Sequence, residues 1–495
     1  MVDKLEDYLK KLEYLNSTIA LLDWDSMVNM PERAEKYRSE MLGYLSGEYY
    51  KMTTSEKLKQ LIEHLKASDN LDEITKASIE KIEKEYNKTK KIPEEQYKQY
   101  KIAASLSYSA WEEAKKKSDF SIFAPHLEKM VEYNKKFAKY WGFEQNSYNA
   151  LLDIYESSIT TEKLDVVFGE LRLAIVDLLK KINSSKVSAE TEYFKKYCTK
   201  ESQEKFGRLV LDKMGYDYKK AGRIDESTHP FTTNFGNKDV RITTNYDEND
   251  LRKALYSTIH EGGHAIYEQN IPEDLQGTML AEGASMAIHE SQSRFYENLI
   301  GKSKAFWTYF YPIAQNEFNN FHGVSFEDFY RGLNEVKPSL IRIDADELTY
   351  SLHIIIRYEI EKMLFNDDLE VKDIPYIWNK KYEEYLGVKP KNDSEGVLQD
   401  MHWSDGSFGY FPSYALGNLY GAQFLNKMKK DILDLDKQIE EGNLEVVHEW
   451  LKNNIHKHGA IYKPNILIKK VTGEELSAKY FIDYLNDKFK KIYNI

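Results

Sequence analysis

The stretch LRKALYSTIHEGGHAIYEQN, Leu251 to Asn270, carries an H-E-x-x-H pattern around which the rest of the chain is organised. Its apolar residues recur at roughly helical spacing, Asp250 can cap the N-terminus, and Pro272 stops the helix just beyond it. The spacing therefore predicts an α-helix. Because residues four apart stand on the same helix face, the imidazoles of His260 and His264 converge and one metal ion can accept both.

Glu261 follows the first of these histidines directly and is rotated about 100° around the helix axis. Its carboxylate is therefore expected beside a bound metal rather than on it, where it can accept a proton from an activated water. Gly262 and Gly263 lie inside the same turn, and each glycine in a helix costs about 0.5–1 kcal/mol relative to alanine. Two together indicate that another part of the protein approaches this backbone closely.

A third metal ligand is expected from a second helix. The metzincin pattern requires glycine at position 267 and histidine at 270, and the chain has Tyr267 and Asn270, so that class is excluded. The next helical stretch is predicted from about Leu280 to Ile300, with Gly301 as its C-cap. Two histidines plus one carboxylate leave a fourth position for water, as a catalytic zinc site requires. Spacing alone does not separate three candidates for the remaining ligand, which are Glu290, Glu282 and His289.

Composition sets the outer limits on function. The 495 residues include 69 Lys and Arg and 81 Asp and Glu, and the net charge of −12 disfavours nucleic acid and anionic membranes as partners. The single cysteine, Cys198, excludes an intrachain disulfide and fits a reducing compartment. The N-terminus has no signal-peptide core, and no apolar run approaches the roughly 20 residues that span a bilayer. A cytoplasmic protein is therefore expected.

The N-terminal half has the pattern of long, charged helices. No glycine occurs between Glu48 and Trp141, and Pro93 followed by two acidic residues is typical of a helix start. The charge runs are interpreted as solvated faces, with a lid or wall over a substrate groove as the alternative. No Gly/Ser tract, low-complexity segment or repeat marks a linker. We therefore expect 1–495 to form a single continuous domain, with a helical lobe over 1–220 and a metal-site lobe over 221–495.

The best strand candidate covers residues 239–246, where Val240, Ile242 and Thr244 are β-branched and alternate with polar neighbours. The strand comes just before the H-E-x-x-H helix, so its edge could pair with an extended peptide; the alternative is an ordinary edge strand. Together with the helical patterns elsewhere, this predicts a mainly α protein with a small β-sheet beside the H-E-x-x-H helix.

Ordered sequence blocks extend well beyond the metal motif. They are HPF (His229–Phe231), DVRITT (Asp239–Thr244), HEGGH (His260–His264), HESQSR (His289–Arg294), IRIDADELTY (Ile341–Tyr350), GVLQDMHW (Gly396–Trp403) and GYFPSYALG (Gly409–Gly417). With these seven blocks the chain resembles the carboxypeptidase Taq family of cytoplasmic metallocarboxypeptidases, which carry H-E-x-x-H. The N-terminal LDWDSMVNMPERA (Leu22–Ala34) resembles the opening helices of the family less specifically.

The resemblance implies a mostly α-helical, two-lobed metallopeptidase with a deep substrate groove, usually assembled as a homodimer. It also implies that His260, His264 and Glu290 hold one divalent metal ion per chain, and that Glu261 is the general base. Zinc is the expected metal, with cobalt as the alternative.

The same resemblance suggests the substrate contacts. Arg342 and Tyr414 match family positions thought to contact substrate near its C-terminal end, and the blocks that hold His229, Arg241 and His402 would line the same groove. From the residue types alone, the histidine at 402 could donate to an oxyanion or satisfy the core. The tyrosine at 414 could stabilise the oxyanion, orient the substrate or pack.

An arginine suits the terminal carboxylate of a peptide because its planar fork makes two parallel charge-assisted hydrogen bonds. Arg342 is the favoured anchor, on the strength of its block. Arg241 is a rival that strand alternation could turn either to the groove or to solvent. Arg294 is the weaker rival, because it lies four residues past Glu290 on the same helix face and can simply neutralise nearby acids.

The expected function is release of single residues from the free C-terminus of peptides by attack of a metal-activated water. One alternative is a helical oligopeptidase that cuts inside short peptides, since H-E-x-x-H fits it equally well. The other is a non-catalytic helical binding protein with a structural metal. Glu261 argues against the second, because a structural site needs no base and usually fills its fourth position with protein.

Overall fold

The computed structural model describes residues 1–366 and 368–495. Helix accounts for 69% of the chain and strand for 3%, so the predicted mainly α class is confirmed. The first helices are α1 (Val2–Val28), α2 (Glu35–Thr53), α3 (Glu56–Lys66), α4 (Glu73–Lys90), α5 (Glu94–Lys117), α6 (Phe120–Trp141), α7 (Ser147–Tyr155), α8 (Thr161–Asn183) and α9 (Lys200–Met214). Those that follow are α10 (Leu251–Gln269), α11 (Met286–Arg294), α12 (Lys304–Glu317), α13 (Phe326–Leu333), α14 (Tyr350–Phe365), α15 (Ile374–Leu386), α16 (His402–Asp405), α17 (Pro412–Asp431), α18 (Leu435–Glu440), α19 (Glu445–Asn454), α20 (Pro464–Thr472) and α21 (Lys479–Tyr493). The strands are β1 (Gly222–Glu226), β2 (Thr232–Asn234) and β3 (Val240–Thr244).

The chain forms two compact units, and each is assembled from three separate stretches. Unit 1 consists of Met1–Lys90, Glu190–Leu333 and Phe424–Gly473. Unit 2 consists of Lys91–Ala189, Asn334–Gln423 and Glu474–Ile495. Both units thus combine stretches from either side of residue 220, and their boundaries do not follow the expected lobes 1–220 and 221–495. That lobe division within one continuous domain stays a prediction.

The small sheet of unit 1 lies against α10, as predicted. Its strand order is β1-β3-β2, with β1 parallel and β2 antiparallel to β3. The side chains of Val240 and Ile242 are fully buried, which explains their alternation with polar residues. On the neighbouring helix the Thr258 hydroxyl donates to that of Thr244 at 3.0 Å. The expectation that β3 could offer its edge to a peptide is wrong, because β3 is the middle strand and both of its edges are already paired.

Close packing explains the two glycines inside α10. A Cβ atom at Gly263 would lie 2.7 Å from the carbonyl oxygen of Gln292 and 2.8 Å from Cα of Ser293, both on α11. A Cβ atom at Gly262 would lie 2.5 Å from Cδ2 of Leu211 on α9. The predicted close approach is therefore confirmed on two sides. Glycine is needed most at position 263, where the contacts are backbone atoms, whereas a side chain at position 262 would have to displace that of Leu211.

The helix after α10 begins later than its pattern indicated. Helix α11 begins at Met286, where the Ser285 side chain caps it by accepting from the backbone N–H of Ile288 at 3.0 Å. It continues as a π-helical turn over Phe295–Ile300. Gly301 is the C-cap, as predicted, although its φ of −64° lies outside the left-handed region that glycine caps commonly use. It is needed instead for space, because a Cβ there would lie 2.7 Å from the carbonyl oxygen of Tyr296.

Helix α14 forms a buried spine in unit 2. Its apolar positions pack into the core, and it also carries a fully buried histidine, arginine and glutamate, namely His353, Arg357 and Glu361. Buried charges are retained only where partners satisfy them, so these residues mark a polar network inside the unit. Within the described residues, no helix is long and apolar enough to cross a membrane.

Candidate active site

Three side chains of unit 1 converge as a ligand set for a metal ion. His260 Nε2 lies 3.6 Å and His264 Nε2 lies 3.4 Å from Glu290 Oε2, and one ligand atom from each residue lies within 4.8 Å of the others. Two ligands bound at about 2.1 Å in a tetrahedron stand about 3.4 Å apart. The spacing of these donors therefore fits a divalent cation. Helix α10 supplies the two histidines and α11 supplies the carboxylate.

The other two candidates for the third ligand lie outside this cluster. Glu282 is exposed and forms an ion pair with Lys81. His289 is turned toward His264, and the two Nδ1 atoms are 2.5 Å apart. In the described part of the chain, no second group of three histidine, cysteine, aspartate or glutamate side chains meets the same spacing. Of the three candidates, only Glu290 thus lies with both histidines.

Two members of the cluster, Glu290 and His264, have protonation states that suit a cation, whereas at His260 the neighbouring Glu290 and Glu297 outweigh burial and raise the pKa. Burial opposes the charge on Glu290, but the Arg294 guanidinium and the two histidines outweigh it and lower the pKa of this carboxyl far below its usual range. Arg294 Nε donates to Glu290 Oε1 at 2.7 Å. Burial lowers the pKa of His264 to about 3, so its imidazole is neutral. An ionised carboxylate and a neutral imidazole are the forms that bind a metal.

A second carboxylate supports the first histidine. Glu297 Oε2 lies 2.8 Å from His260 Nδ1 and 3.2 Å from Arg294 Nη1. Arg294 therefore contacts two carboxylates, as its position four residues after Glu290 predicted. Its guanidinium is occupied by these acids, which weakens it as a rival anchor for substrate. Sequence reasoning missed Glu297 in this supporting position, because the π-helical turn that carries it has no recognised sequence signal.

Glu261 is buried beside the cluster and is 8% exposed. Its Oε2 accepts a hydrogen bond from Thr232 Oγ1 at 2.6 Å. Burial raises the pKa of Glu261, against the opposing effects of His260 and of the threonine hydroxyl. A carboxylate with a raised pKa is a better proton acceptor near neutral pH. No role was predicted for Thr232, which is the first residue of β2 and directly follows the HPF block.

A buried cluster of arginines lies in unit 2. Arg342 donates from Nε and Nη2 to Asp400 Oδ1 at 3.0 and 2.9 Å, and from Nη1 to the Tyr350 hydroxyl at 3.2 Å. Arg357 Nη2 lies 2.6 Å from Asp400 Oδ2. Burial opposes the charge on Asp400, but the two guanidinium groups outweigh it and hold the pKa of this carboxyl well below its usual range. Two cations thus share one anion, which leaves a net positive charge.

Two further predicted residues lie in the same cluster. The Arg342 guanidinium stands 5.0 Å from the ring centroid of Tyr414, and the hydroxyl of that tyrosine is 3.2 Å from His402 Nε2. Burial lowers the pKa of His402 to about 4, so the ring is neutral. Its Nδ1 is buried without a hydrogen-bond partner among the described residues. Sequence reasoning missed Arg357, whose available signal was a charge inside an otherwise apolar helical run.

The remaining two predicted residues belong to unit 1. His229 is exposed in the loop between β1 and β2. Arg241 Nη2 lies 2.7 Å from Asp239 Oδ2, and its guanidinium stands 4.5 Å from the ring centroid of Trp24. Arg241 is thus engaged by a neighbouring carboxylate and an aromatic face.

A helix that presents H-E-x-x-H, a glutamate from the next helix beside both histidines and a buried carboxylate next to them define a helical metallopeptidase. The comparison with known families agrees. The model of the Carboxypeptidase Taq (M32) metallopeptidase family matches residues 4–489. The chain belongs to this family.

Named relatives support the same assignment along nearly the whole chain. Carboxypeptidase 1 of Bacillus subtilis is 48% identical over 489 residues, covering 98% of this chain and 97% of the relative. Thermostable carboxypeptidase 1 of Pyrococcus furiosus is 38% identical, covering 95% of this chain and 94% of the relative. The crystal structure of the M32 carboxypeptidase from Deinococcus radiodurans superimposes with a TM-score of 0.97 at 34% identity, covering 100% of this chain and 99% of that one. The protein is a metallocarboxypeptidase.

Proposed function

We propose that the protein releases single residues from the free C-terminus of peptides at a divalent metal ion held by His260, His264 and Glu290, with Glu261 as the general base. The observation that carries this proposal is the convergence of two imidazoles and one ionised carboxylate at metal-ligand spacing. The ligand set leaves room for a further ligand, as catalytic rather than structural sites require.

The role of Glu261 follows from its surroundings. A divalent ion supplies Lewis-acid chemistry, which acidifies water and polarises a carbonyl. The buried Glu261 carboxylate, with its raised pKa, accepts the proton of the attacking water and later delivers it to the leaving amine. The Thr232 hydroxyl holds one carboxylate oxygen, so the carboxylate is oriented before the substrate arrives.

We assign the terminal carboxylate of the peptide to Arg342. A guanidinium has five N–H groups. Arg342 uses three of them in its hydrogen bonds to Asp400 and Tyr350. Arg342 and Arg357 share the single charge of Asp400, so the buried cluster carries an uncompensated positive charge. A second carboxylate would neutralise this charge. The neighbouring Tyr414, whose hydroxyl lies 3.2 Å from His402 Nε2, is proposed to orient the substrate or its oxyanion.

The test compares one peptide as its free acid and as its C-terminal amide. The wild type should strongly prefer the acid and release one residue at a time. Replacement of Arg342 by alanine should abolish that preference, mainly through a higher KM for the acid. Losing a buried charge partner should cost about 2–5 kcal/mol. Lysine at the same position keeps the charge but loses the fork, so it should restore only part of the preference.

Arg241→Ala is the matched control, because Arg241 is paired with Asp239 and should leave the acid preference intact. If Arg241→Ala instead loses the preference for the free acid, then Arg241, and not Arg342, binds the terminal carboxylate. Equal cleavage of acid and amide by the wild type, or cuts inside the peptide, would support an oligopeptidase. Metal binding without any hydrolysis would support a binding protein with a structural metal.

Three finer assignments belong to the same proposal. Zinc is the proposed metal, since two imidazoles and one carboxylate are a common catalytic zinc set, with cobalt as the alternative. A homodimer and a cytoplasmic location are proposed from the family resemblance, and the single cysteine fits a reducing compartment. Metal analysis of the purified protein, light scattering coupled to gel filtration, and fractionation of the source cells test these points.

A further inference from the structure

His289 precedes Glu290 directly, yet its ring lies against His264 behind the ligand cluster. Its Nδ1 is 2.5 Å from His264 Nδ1, and its Nε2 is 2.6 Å from Glu268 Oε1. Glu268 stands four residues after His264 on the same face of α10. His264, His289 and Glu268 therefore form a continuous chain of side-chain contacts, which leads from the ligand cluster to a glutamate that is 6% exposed.

The surroundings of His289 prevent its ring from turning away. A Cβ atom at Gly283 would lie 2.8 Å from Cδ2 of this histidine and 3.0 Å from Cε1 of Tyr267, so only glycine leaves the ring its place. The ring of Tyr267 packs 5.2 Å from that of His289, centroid to centroid. The tyrosine is itself fixed, because its hydroxyl accepts from the backbone N–H of Ala284 at 3.1 Å.

One distribution of protons satisfies every contact in the chain. His264 Nε2 faces Glu290, so a cation in the cluster needs the lone pair of this nitrogen and the proton must reside on Nδ1. That Nδ1–H then donates to His289 Nδ1, which must be unprotonated. His289 consequently carries its proton on Nε2 and donates it to the Glu268 carboxylate.

The two histidine ligands are supported differently. Behind His260, Glu297 also contacts Arg294 at 3.2 Å and Lys302 at 3.8 Å, so its negative charge is shared. Behind His264, the Glu268 carboxylate has no hydrogen-bonding or ion-pair partner other than His289 in the described part of the chain. The carboxylate behind the second ligand is therefore one ring further away and contacts a single side chain among the described residues.

We propose that His289 and Glu268 are positioning residues that hold His264 in the tautomer and orientation required to bind a divalent cation through Nε2. Partners of this kind raise the basicity of the ligand and typically change metal affinity by about 10–100-fold. The proposal rests on the ligand set given under the proposed function. It adds two residues that touch neither the cation nor the substrate.

The experiment measures the dissociation constant for zinc of the full-length protein by competition with a chelator. We expect the constant to rise by about 10–100-fold in His289→Ala and Glu268→Ala, and by less in Glu268→Gln, which keeps an acceptor but loses the charge. The absorption bands of the cobalt-loaded protein should shift in the same variants, because the ligand field depends on the orientation of His264. Glu282→Gln is the matched control, since it removes a charge from the same segment outside the chain of contacts.

The outcomes separate this proposal from the assignment of the ligands. If His264→Ala loses zinc while Glu268→Gln and Glu268→Ala bind it within twofold of the wild type with an unchanged cobalt spectrum, the positioning role is wrong. If His264→Ala itself binds zinc normally, the ligand set is wrong. Circular dichroism of the metal-free variants shows whether they fold. If His289→Ala does not fold, the two Glu268 variants decide whether the positioning role is right.

Discussion

The Thr232 hydroxyl on β2 donates to the Glu261 carboxylate on α10, with 2.6 Å between Oγ1 and Oε2. The same hydroxyl lies 3.0 Å from the Glu261 carbonyl oxygen. The outer strand of the sheet thus fixes the carboxylate of the proposed base.

Thr232→Val keeps the shape of the side chain but removes this hydrogen bond. Hydrogen bonds to charged groups contribute about 1.5–3 kcal/mol, so kcat should fall by roughly 10-fold or more while zinc content is unchanged. Steady-state kinetics with metal analysis checks this expectation. Thr232→Ser keeps the hydroxyl and should stay near the wild-type kcat. A loss in Thr232→Ser together with a near-normal kcat in Thr232→Val would mean that the methyl group, not the hydrogen bond, matters.

Glu261→Gln separates the base from the ligands. The amide keeps the size of the side chain but cannot accept the proton, so turnover should fall by roughly 100-fold or more. Metal content should not change, because Glu261 is not among the three converging donors. Metal analysis and single-turnover rates on the same preparation measure both quantities. A variant with near-normal kcat would rule out the general-base role.

The ligands themselves give a third prediction. His260→Ala and His264→Ala should each abolish zinc binding, because two remaining donors hold a catalytic ion poorly. Glu290→Ala should also lose the metal. Glu282→Ala should retain it, since that carboxylate is exposed and pairs with Lys81. Metal content after dialysis is the measurement, and full metal in Glu290→Ala with loss in Glu282→Ala would reverse the assignment of the third ligand.

The parts of the site that sequence predicted well depend on local geometry. The convergence of His260 and His264 follows from the α-helical repeat alone. The choice between His289 and Glu290 does not, because adjacent residues differ by about 100° and the starting phase of α11 decides which one faces the metal. That phase is set by the Ser285 cap, five residues after Leu280, where the pattern had placed the start of the helix.

Features that depend on pairing between residues far apart in the sequence could not be predicted. The central place of β3 follows from β1 and β2 binding to its two edges, which alternation along one strand cannot reveal. The partner of Arg342 is Asp400, 58 residues along the chain, and that carboxylate is shared with Arg357. Sequence identified Arg342 and Asp400 only as members of two blocks. The network that joins them is a property of the fold.

Gly263→Ala tests the close approach of α10 and α11. The added methyl would lie 2.7 Å from the carbonyl oxygen of Gln292, which belongs to the backbone and cannot move freely. Overpacking of this kind costs about 1–3 kcal/mol of unfolding free energy. Gly43→Ala is the control, because a Cβ there meets nothing within 4 Å, and it should stabilise the protein by about 0.5–1 kcal/mol. Urea unfolding of both variants provides the comparison.

Glu361 gives a pH-dependent prediction, because it is a fully buried acid in unit 2. Its carboxylate accepts hydrogen bonds from Trp403 Nε1 at 2.7 Å, the Tyr148 hydroxyl at 2.5 Å and the Gly409 backbone N–H at 2.9 Å. It therefore ties together the segment that carries His402 and Tyr414. Burial raises the pKa of Glu361 to about 7, even though these three donors oppose the shift.

The sign of the effect follows from the raised pKa of Glu361. The unfolded chain loses this proton near pH 4.5, whereas the folded chain keeps it to about pH 7. The stability that the protonated group provides is complete below pH 4.5 and is lost as the pH rises through 7. With 1.36 kcal/mol per pKa unit, this loss is about 3 kcal/mol.

The unfolding free energy of Glu361→Gln lacks this contribution, so the difference in unfolding free energy between the wild type and the variant should be larger at pH 5 than at pH 8. Tyr148→Phe removes a donor to the charged form and should shift the decline to higher pH. Urea unfolding from pH 5 to 8 measures all three proteins, and parallel curves for the wild type and Glu361→Gln would show that this acid does not titrate in the range.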